Sequence, residues 1–295
     1  MLQYRILKAN QFDMFVCING KFLKKKDAKI SVFDNGFLYG DGIYETIRIY
    51  DGVIFELDEH LKRLQKSAEI TGLEIKWPIA KIMEWANKLV KLNKGLNRMR
   101  ITVSRGENGL DFNSCENPTL VIHCEKLRID PEIYKKGVSA VTFGVERIRP
   151  EAKTLGLMHL ILSQRYILQK KAQEAIMVDE KNFVREGPST NVFALIKGII
   201  YTPASHILIG TTRNRILELV KKNGIKIIVK DLKIEELESA EEIFLTNKIK
   251  EIIPVTKLNG KKVGSGKVGE YTQKIMKLYK DYVKAYVRSV KNNEG

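Results

Sequence analysis

Ile43-Tyr44-Glu45-Thr46-Ile47-Arg48-Ile49-Tyr50 places Tyr44, Thr46, Arg48 and Tyr50 on one side of an extended chain and Ile43, Glu45, Ile47 and Ile49 on the other. That period of two marks a β-strand. Arg98–Ser104 repeats the pattern, with Met99, Ile101 and Val103 opposite Arg98, Arg100, Thr102 and Ser104. Further strands are expected at Met14–Ile18 and Leu120–Cys124. Between these strands Asp58 reads as the N-cap of a helix over 59–71, and Trp77-Pro78 opens a second helix over 78–93. From about Gly137 onward, short strands within 174–201 and at 225–230 and 243–246 accompany helices over 157–173, 212–223 and 269–290. Strands and helices alternate throughout, which predicts an α/β or α+β protein of two domains. The expected division is a small N-terminal domain over 1–125, a polar linker over 126–136 carrying Pro131, and a larger C-terminal domain over 137–295.

A chain of 295 residues is long enough for two domains and a sizeable core. Its 44% hydrophobic content and only 7 prolines exclude the disordered, fibrous and low-complexity classes. Apolar runs such as Asn191–Lys197 stop far short of the roughly 20 residues that cross a bilayer, so no membrane span is expected. Residues 1–8 lack the apolar core of a secretory signal, and Cys17, Cys115 and Cys124 are widely spaced without a CxxC pair. Both features predict a cytoplasmic protein. The formal charge is 51 − 35 = +16, which admits a non-enzymatic nucleic-acid binder. The lysines, however, are dispersed and interleaved with acidic pairs such as Glu235-Glu236, so a solvated surface is expected and no nucleic-acid partner.

Motif by motif, most segments admit an ordinary structural use. Gly264-Ser265-Gly266-Lys267-Val268-Gly269 satisfies G-x-G-x-x-G but lies too near the C-terminus for a βαβ unit, and reads as a loop. His60, His123, His159 and His206 lack metal-ligand spacing, so no metal site is expected. At Ile207-Leu208-Ile209-Gly210-Thr211-Thr212-Arg213 a hydrophobic run breaks into a helix start. Its backbone N–H groups and hydroxyls can cradle a phosphate or serve as a plain N-cap, and the segment alone supports either. Glu186, in the polar turn Arg185–Asn191, reads by itself as solvent-facing, and Lys153 as one surface lysine among many.

Taken in order, these segments resemble a known family. The run Phe33-Asp-Asn-Gly-Phe-Leu-Tyr-Gly-Asp-Gly-Ile-Tyr-Glu-Thr-Ile-Arg48 is followed by Glu59-His-Leu-Lys-Arg-Leu64, Lys153 and Glu186-Gly-Pro-Ser-Thr-Asn-Val-Phe193, then by Gly210-Thr-Thr-Arg213 and Gly266-Lys-Val-Gly-Glu270. Together they resemble the class IV, fold-type IV pyridoxal-phosphate enzymes: branched-chain aminotransferases, D-amino-acid aminotransferases and 4-amino-4-deoxychorismate lyases. The resemblance implies a two-domain α/β (α+β) enzyme with its cofactor in the cleft between domains, a homodimer, and small-molecule amino-acid and 2-oxo-acid substrates. It implies that Lys153 is the Schiff-base lysine and proton shuttle, carried by the C-terminal domain. Glu186 would pair with the pyridine nitrogen, Leu208 would pack on the ring, and Arg63, Thr211 and Thr212 would bind the phosphate. Tyr39, Tyr44, Arg48 and Arg100 fall at substrate-side positions.

Departures from the family's patterns bear on the substrate. Leu110-Asp111-Phe112 stands where the best-known D-amino-acid aminotransferases carry an Arg-x-His carboxylate trap, which disfavours that subtype. Thr246-Asn-Lys-Ile-Lys-Glu251 replaces the branched-chain Gly-Thr-Ala-Ala-Glu run, setting Lys248 in place of its threonine. Gly156-Leu157 replaces an Asn-Tyr pair. Thr246-Asn247 and Tyr44–Arg48 are similar to the lyases, whereas Arg100, Gly109–Asp111 and Pro118-Thr119 are similar to branched-chain enzymes. The expectation is amino transfer with a branched-chain-type L-amino acid favoured, and pyruvate elimination by an aminodeoxychorismate lyase as the alternative.

Overall fold

The computed structural model describes residues 4–6 and 14–293. Its contacts divide the chain into two units. The first comprises Arg5–Arg128, Ala152–Gly156 and Tyr286–Gly295; the second comprises Met1–Tyr4, Ile129–Glu151 and Leu157–Ala285. A two-stranded sheet pairs β1 (Tyr4–Ile6) with β8 (Leu127–Ile129).

In the first unit the alternating segments form β2 (Phe15–Ile18), β3 (Lys21–Lys24), β4 (Gly42–Tyr50), β5 (Val53–Ile54), β6 (Arg98–Ser104) and β7 (Thr119–Glu125). They make one antiparallel sheet in the order β3-β2-β7-β6-β4-β5. Its apolar face is fully buried at Ile43, Ile47, Met99, Ile101, Val103, Leu120 and Ile122, each burial worth about 1.5–3 kcal/mol. Against it lie α2 (Leu57–Thr71) and α3 (Ile79–Leu92). The α2 stripe Leu57, Leu61, Leu64 and Ala68 follows the helical period onto this core.

Helix α2 starts one residue before Asp58, with Glu56 as N-cap in a left-handed conformation (φ 54°). Asp58 therefore sits inside the first turn, where a carboxylate meets the positive end of the helix without capping it. The short helix α1 (Asn35–Tyr39) precedes β4; Asp34 Oδ1 caps it by accepting the Gly36 N–H, and Gly40 ends it at φ 71°.

The second unit is built on an eleven-stranded mixed sheet. Its strands are β9 (Val138–Gly144), β10 (Glu174–Val178), β11 (Phe183–Val184), β12 (Glu186–Gly187), β13 (Thr190–Ile196), β14 (Ile199–Thr202), β15 (Ile227–Val229), β16 (Leu232–Lys233), β17 (Glu242–Asn247), β18 (Glu251–Leu258) and β19 (Lys261–Lys262). The main path runs β15-β14-β13-β17-β18-β9-β10-β11-β16, with β12 on β13 and β19 on β18. Helices α4 (Glu132–Lys136), α5 (Met158–Gln169), α6 (Thr211–Lys222), α7 (Ile234–Glu238) and, as far as Ala285, α8 (Glu270–Asn293) accompany it.

Two differences from the sequence expectation have local causes. Residues 126–136 carry β8 and α4, because Leu127 and Ile133 are buried apolar anchors within an otherwise polar stretch. The segment Ala152–Gly156, expected with the C-terminal domain, belongs to the first unit because it hydrogen-bonds along β4.

Candidate active site

The first unit gathers Lys153, Tyr44, Arg48, Arg63 and Arg100. Lys153 is held through its backbone: its C=O accepts the Tyr44 N–H at 2.9 Å, and its N–H donates to the buried Ser67 Oγ of α2 at 3.0 Å. Ile43 bridges Thr154, and the Leu155 N–H donates to the Gly42 C=O at 2.8 Å, so the segment lies antiparallel beside the start of β4. The Lys153 Nζ stands 4.6 Å from the Tyr44 ring centroid, and the Arg100 guanidinium 3.7 Å from the same centroid.

Cross-strand register explains why the cations gather. Arg48 pairs with Arg98 and Arg98 with Glu125; Thr46 pairs with Arg100 and Arg100 with His123. Cross-strand partners share a sheet face, so one acid, Glu125, sits among Arg48, Arg98, Arg100 and His123, and it is ion-paired with Arg98. Arg100 donates its Nε–H to Thr102 Oγ1 at 3.2 Å. The Arg48 Nε and Nη1 atoms are buried without a hydrogen-bond partner among the described residues. The face is electropositive and suited to carboxylates.

Burial, together with Arg98 and Arg100, lowers the His123 pKa to about 4 although Glu125 opposes the shift. The folded state therefore holds His123 neutral while the unfolded chain takes up its proton near pH 6.5, so stability falls as pH drops from about 6.5 toward 4. After allowance for partial exposure the loss is about 2 kcal/mol. His123→Gln should flatten this limb in denaturant titrations at pH 7 and pH 4.5. An unchanged difference between the two pH values would remove His123 as its source.

Arg63 lies on α2 with its Nε and Nη2 donating to Glu45 Oε1 and Oε2 at 2.8 and 2.7 Å. Tyr39 ends α1 and is exposed, its ring edge-on to Phe112 at 5.4 Å between centroids.

The second unit gathers Glu186, Leu208, Thr211, Thr212 and Lys248. Glu186 is 4% exposed, not solvent-facing. Its Oε1 accepts from Arg147 Nη1 at 2.7 Å, and its Oε2 accepts the Leu208 N–H at 3.0 Å and a long 3.5 Å contact from Asn191 Nδ2. The same Asn191 amide donates to the Leu208 C=O at 2.8 Å. Gly210 packs so closely on Asn191 that a Cβ there would lie 2.1 Å from Oδ1. No side chain caps α6 at Gly210, so its first N–H groups point out of the helix start beside Thr211 and Thr212. Register sets Thr246 opposite Asn191, and α6 packs against β17.

The hydroxyls of Thr212 and Thr246 are both buried without a hydrogen-bond partner among the described residues. Orphaned donors beside an uncapped helix start fit a phosphate group. Lys248 is buried in the loop after β17, where Asn247 Oδ1 accepts the Ile249 and Lys250 N–H groups at 3.0 and 2.7 Å.

Sequence reading missed Arg147, Asn191 and Glu45. Glu45 alone left a signal, as a charge on the apolar side of an alternating strand.

Residues 42–258 match the family model of amino-transferase class IV. The chain belongs to the class IV aminotransferases. Among class IV aminotransferases and their relatives, a Methanocaldococcus jannaschii protein bearing the provisional name branched-chain-amino-acid aminotransferase is 35% identical over 278 residues, covering 91% of this chain and 96% of that one. A D-alanine aminotransferase of Bacillus licheniformis is 31% identical over 268 residues, covering 89% and 94%. The crystal structure of a T.th. branched-chain amino acid aminotransferase complexed with N-(5'-phosphopyridoxyl)-L-glutamate superposes with a TM-score of 0.86 at 25% identity, covering 93% and 95%. This class IV aminotransferase is a pyridoxal-phosphate-dependent transaminase of amino acids and 2-oxo acids with a mixed α/β fold. The lyase alternative is not favoured. Among the described residues no helix is long and apolar enough to cross a membrane.

Proposed function

We propose that this aminotransferase moves the amino group of a branched-chain-type L-amino acid to a 2-oxo acid. The observation that carries the reading is the arginine face of β4 and β6, with Arg100 stacked on Tyr44 beside Lys153 and the Arg48 Nε and Nη1 atoms buried without a hydrogen-bond partner among the described residues. It offers cationic donors to a substrate carboxylate, while Leu110-Asp111-Phe112 offers none. The name of the Methanocaldococcus jannaschii relative supports a branched-chain substrate, and the L-glutamate adduct of the T.th. enzyme supports the L configuration.

Bound pyridoxal phosphate supplies a carbonyl carbon for the amino group and a ring that spreads the charge left when the Cα proton departs. The chain's own residues divide the remaining work. Lys153 binds the cofactor covalently, and its Nζ holds and moves the Cα proton. Glu186 keeps a proton on the ring nitrogen, itself steadied by Arg147, Asn191 and the Leu208 N–H. Leu208 would pack on the ring. Arg63, Thr211, Thr212 and the α6 backbone N–H groups would hold the phosphate. Tyr39, Tyr44, Arg48 and Arg100 orient the substrate.

The D-alanine aminotransferases are nearly as similar in sequence, so substrate choice rests on side chains rather than overall identity. Mixing the holoenzyme with L-leucine or D-alanine and following the cofactor's absorbance is the test. L-leucine should react faster by about 10- to 200-fold, the range a hydrophobic pocket can enforce. Faster reaction with D-alanine would overturn the assignment.

A homodimer in the cytoplasm completes the proposal. Ile30, Val32, Phe33, Phe37 and Leu38 are exposed within one short stretch of the first unit, an apolar concentration typical of a buried interface. A monomer mass in sedimentation velocity at micromolar concentration would remove the dimer.

A further inference from the structure

Glu45 has no place in the roles assigned above, yet it is the most deeply buried acid near them. The alternation of β4 turns it to the apolar side, between Ile43 and Ile47, where it is 0% exposed. A carboxylate in such a setting is retained only when it is fully paired. Its partners both come from α2. Arg63 grips it bidentately through Nε and Nη2, and His60 Nδ1 stands 2.6 Å from Oε2, with the His60 side chain also 0% exposed. Burial pushes the Glu45 pKa up, but Arg63 and His60 outweigh it and hold the group ionised, well below the usual carboxylate range. An ionised carboxylate only accepts, so His60 Nδ1 carries the hydrogen between them.

The arrangement determines how Arg63 can meet an anion. Glu45 occupies the Nε–Nη2 edge and fixes the plane of the guanidinium, so a second anion meets Arg63 through its Nη1–Nη2 edge. We propose that Glu45, braced by His60, is the positioning residue for Arg63, and presents that outer edge to the cofactor phosphate. The inference rests on the assignment of Arg63 to the phosphate made above. It also explains the choice of arginine: one planar fork can bridge two anions at fixed geometry, whereas a lysine ammonium is a single point charge.

The test is a double-mutant cycle on cofactor affinity, read by titrating each apoprotein with pyridoxal phosphate and following the phosphorus NMR shift of the bound phosphate. Arg63→Ala should weaken binding by about 10²-fold, and Glu45→Gln by about 10- to 100-fold with a displaced phosphorus shift. In the Arg63→Ala background Glu45→Gln should add no more than about threefold, because its effect passes through Arg63. Arg63→Lys should bind about as poorly as Arg63→Ala. If Glu45→Gln does not fold, Glu45→Asp, which withdraws the carboxylate by one methylene, should lose about 10-fold. Losses that multiply in the double variant, or wild-type affinity and phosphorus shift in the single Glu45 variants, would overturn the positioning role while the Arg63 assignment stands. Wild-type affinity in Arg63→Ala would overturn both.

Discussion

Lys153→Ala is expected to lower the amino-transfer rate by about 10⁴-fold or more while leaving the fold intact, because it removes the one side chain assigned both to covalent attachment and to proton transfer at Cα. The structure makes this variant interpretable. Segment 152–156 is anchored by its backbone, through the Tyr44 N–H, Ser67 Oγ and the Gly42 C=O, and truncating Lys153 touches none of these bonds. The side chain contributes a cation near the Tyr44 ring, worth about 0.5–1 kcal/mol at most sites. Pre-steady-state mixing with L-leucine measures the rate, and borohydride reduction of the wild-type enzyme followed by peptide mapping locates the attached lysine. A label on another lysine, or a Lys153→Ala enzyme that still turns over within about tenfold of wild type, would end the assignment.

Glu186→Gln is expected to keep the cofactor but slow the half-reaction by at least about 10²-fold, the scale on which a lost electrostatic stabiliser is felt in a buried site. The carboxylate serves two sides at once, Arg147 on Oε1 and the Leu208 N–H on Oε2. An amide has one accepting oxygen, so glutamine must turn its NH₂ toward one of these donors. A stability loss of about 1–3 kcal/mol should accompany the kinetic one. Arg147→Met separates the two effects. It removes the facing donor and leaves the carboxylate, so stability should fall while the rate remains well above that of Glu186→Gln. Single-turnover kinetics decide the matter: a cofactor-loaded Glu186→Gln enzyme reacting at the wild-type rate would remove Glu186 from the chemistry.

Much of the fold was legible because periodicity reports directly on burial. The β4 and β6 alternations, the α2 stripe and the strand at 242–247 all appear where the apolar spacing puts them, to within two or three residues. The strand Glu251–Leu258 was not legible. It runs between β17 and β9 with Pro254 in its middle, and proline argues against a central strand. Pairing with β9 begins only at Val255, one residue past the proline, so the missing N–H falls outside that ladder. The N-cap of α2 was misplaced for a related reason. Asp58 has capping chemistry, but Glu56 at φ 54° sets the chain direction into the helix, and a glutamate at positive φ has no signature in sequence.

By itself the sequence determined the family, the order of the motifs and the residue types available for chemistry, because each of these is a property of nearest neighbours and spacing. It placed Tyr44, Arg48 and Arg100 on polar strand faces correctly, since a strand's side chains alternate whatever packs upon it. Tertiary structure alone decided what those groups meet. Glu186 looked like a turn residue facing water until Arg147, Asn191 and Leu208 closed around it from 39, 5 and 22 positions away. Arg63 looked like a simple anion receptor until Glu45, 18 positions earlier, took one edge of its fork. Pairing of buried charges is enforced by desolvation, which acts only once the core has excluded water, and the partner is then whichever opposite charge the fold brings within about 3 Å.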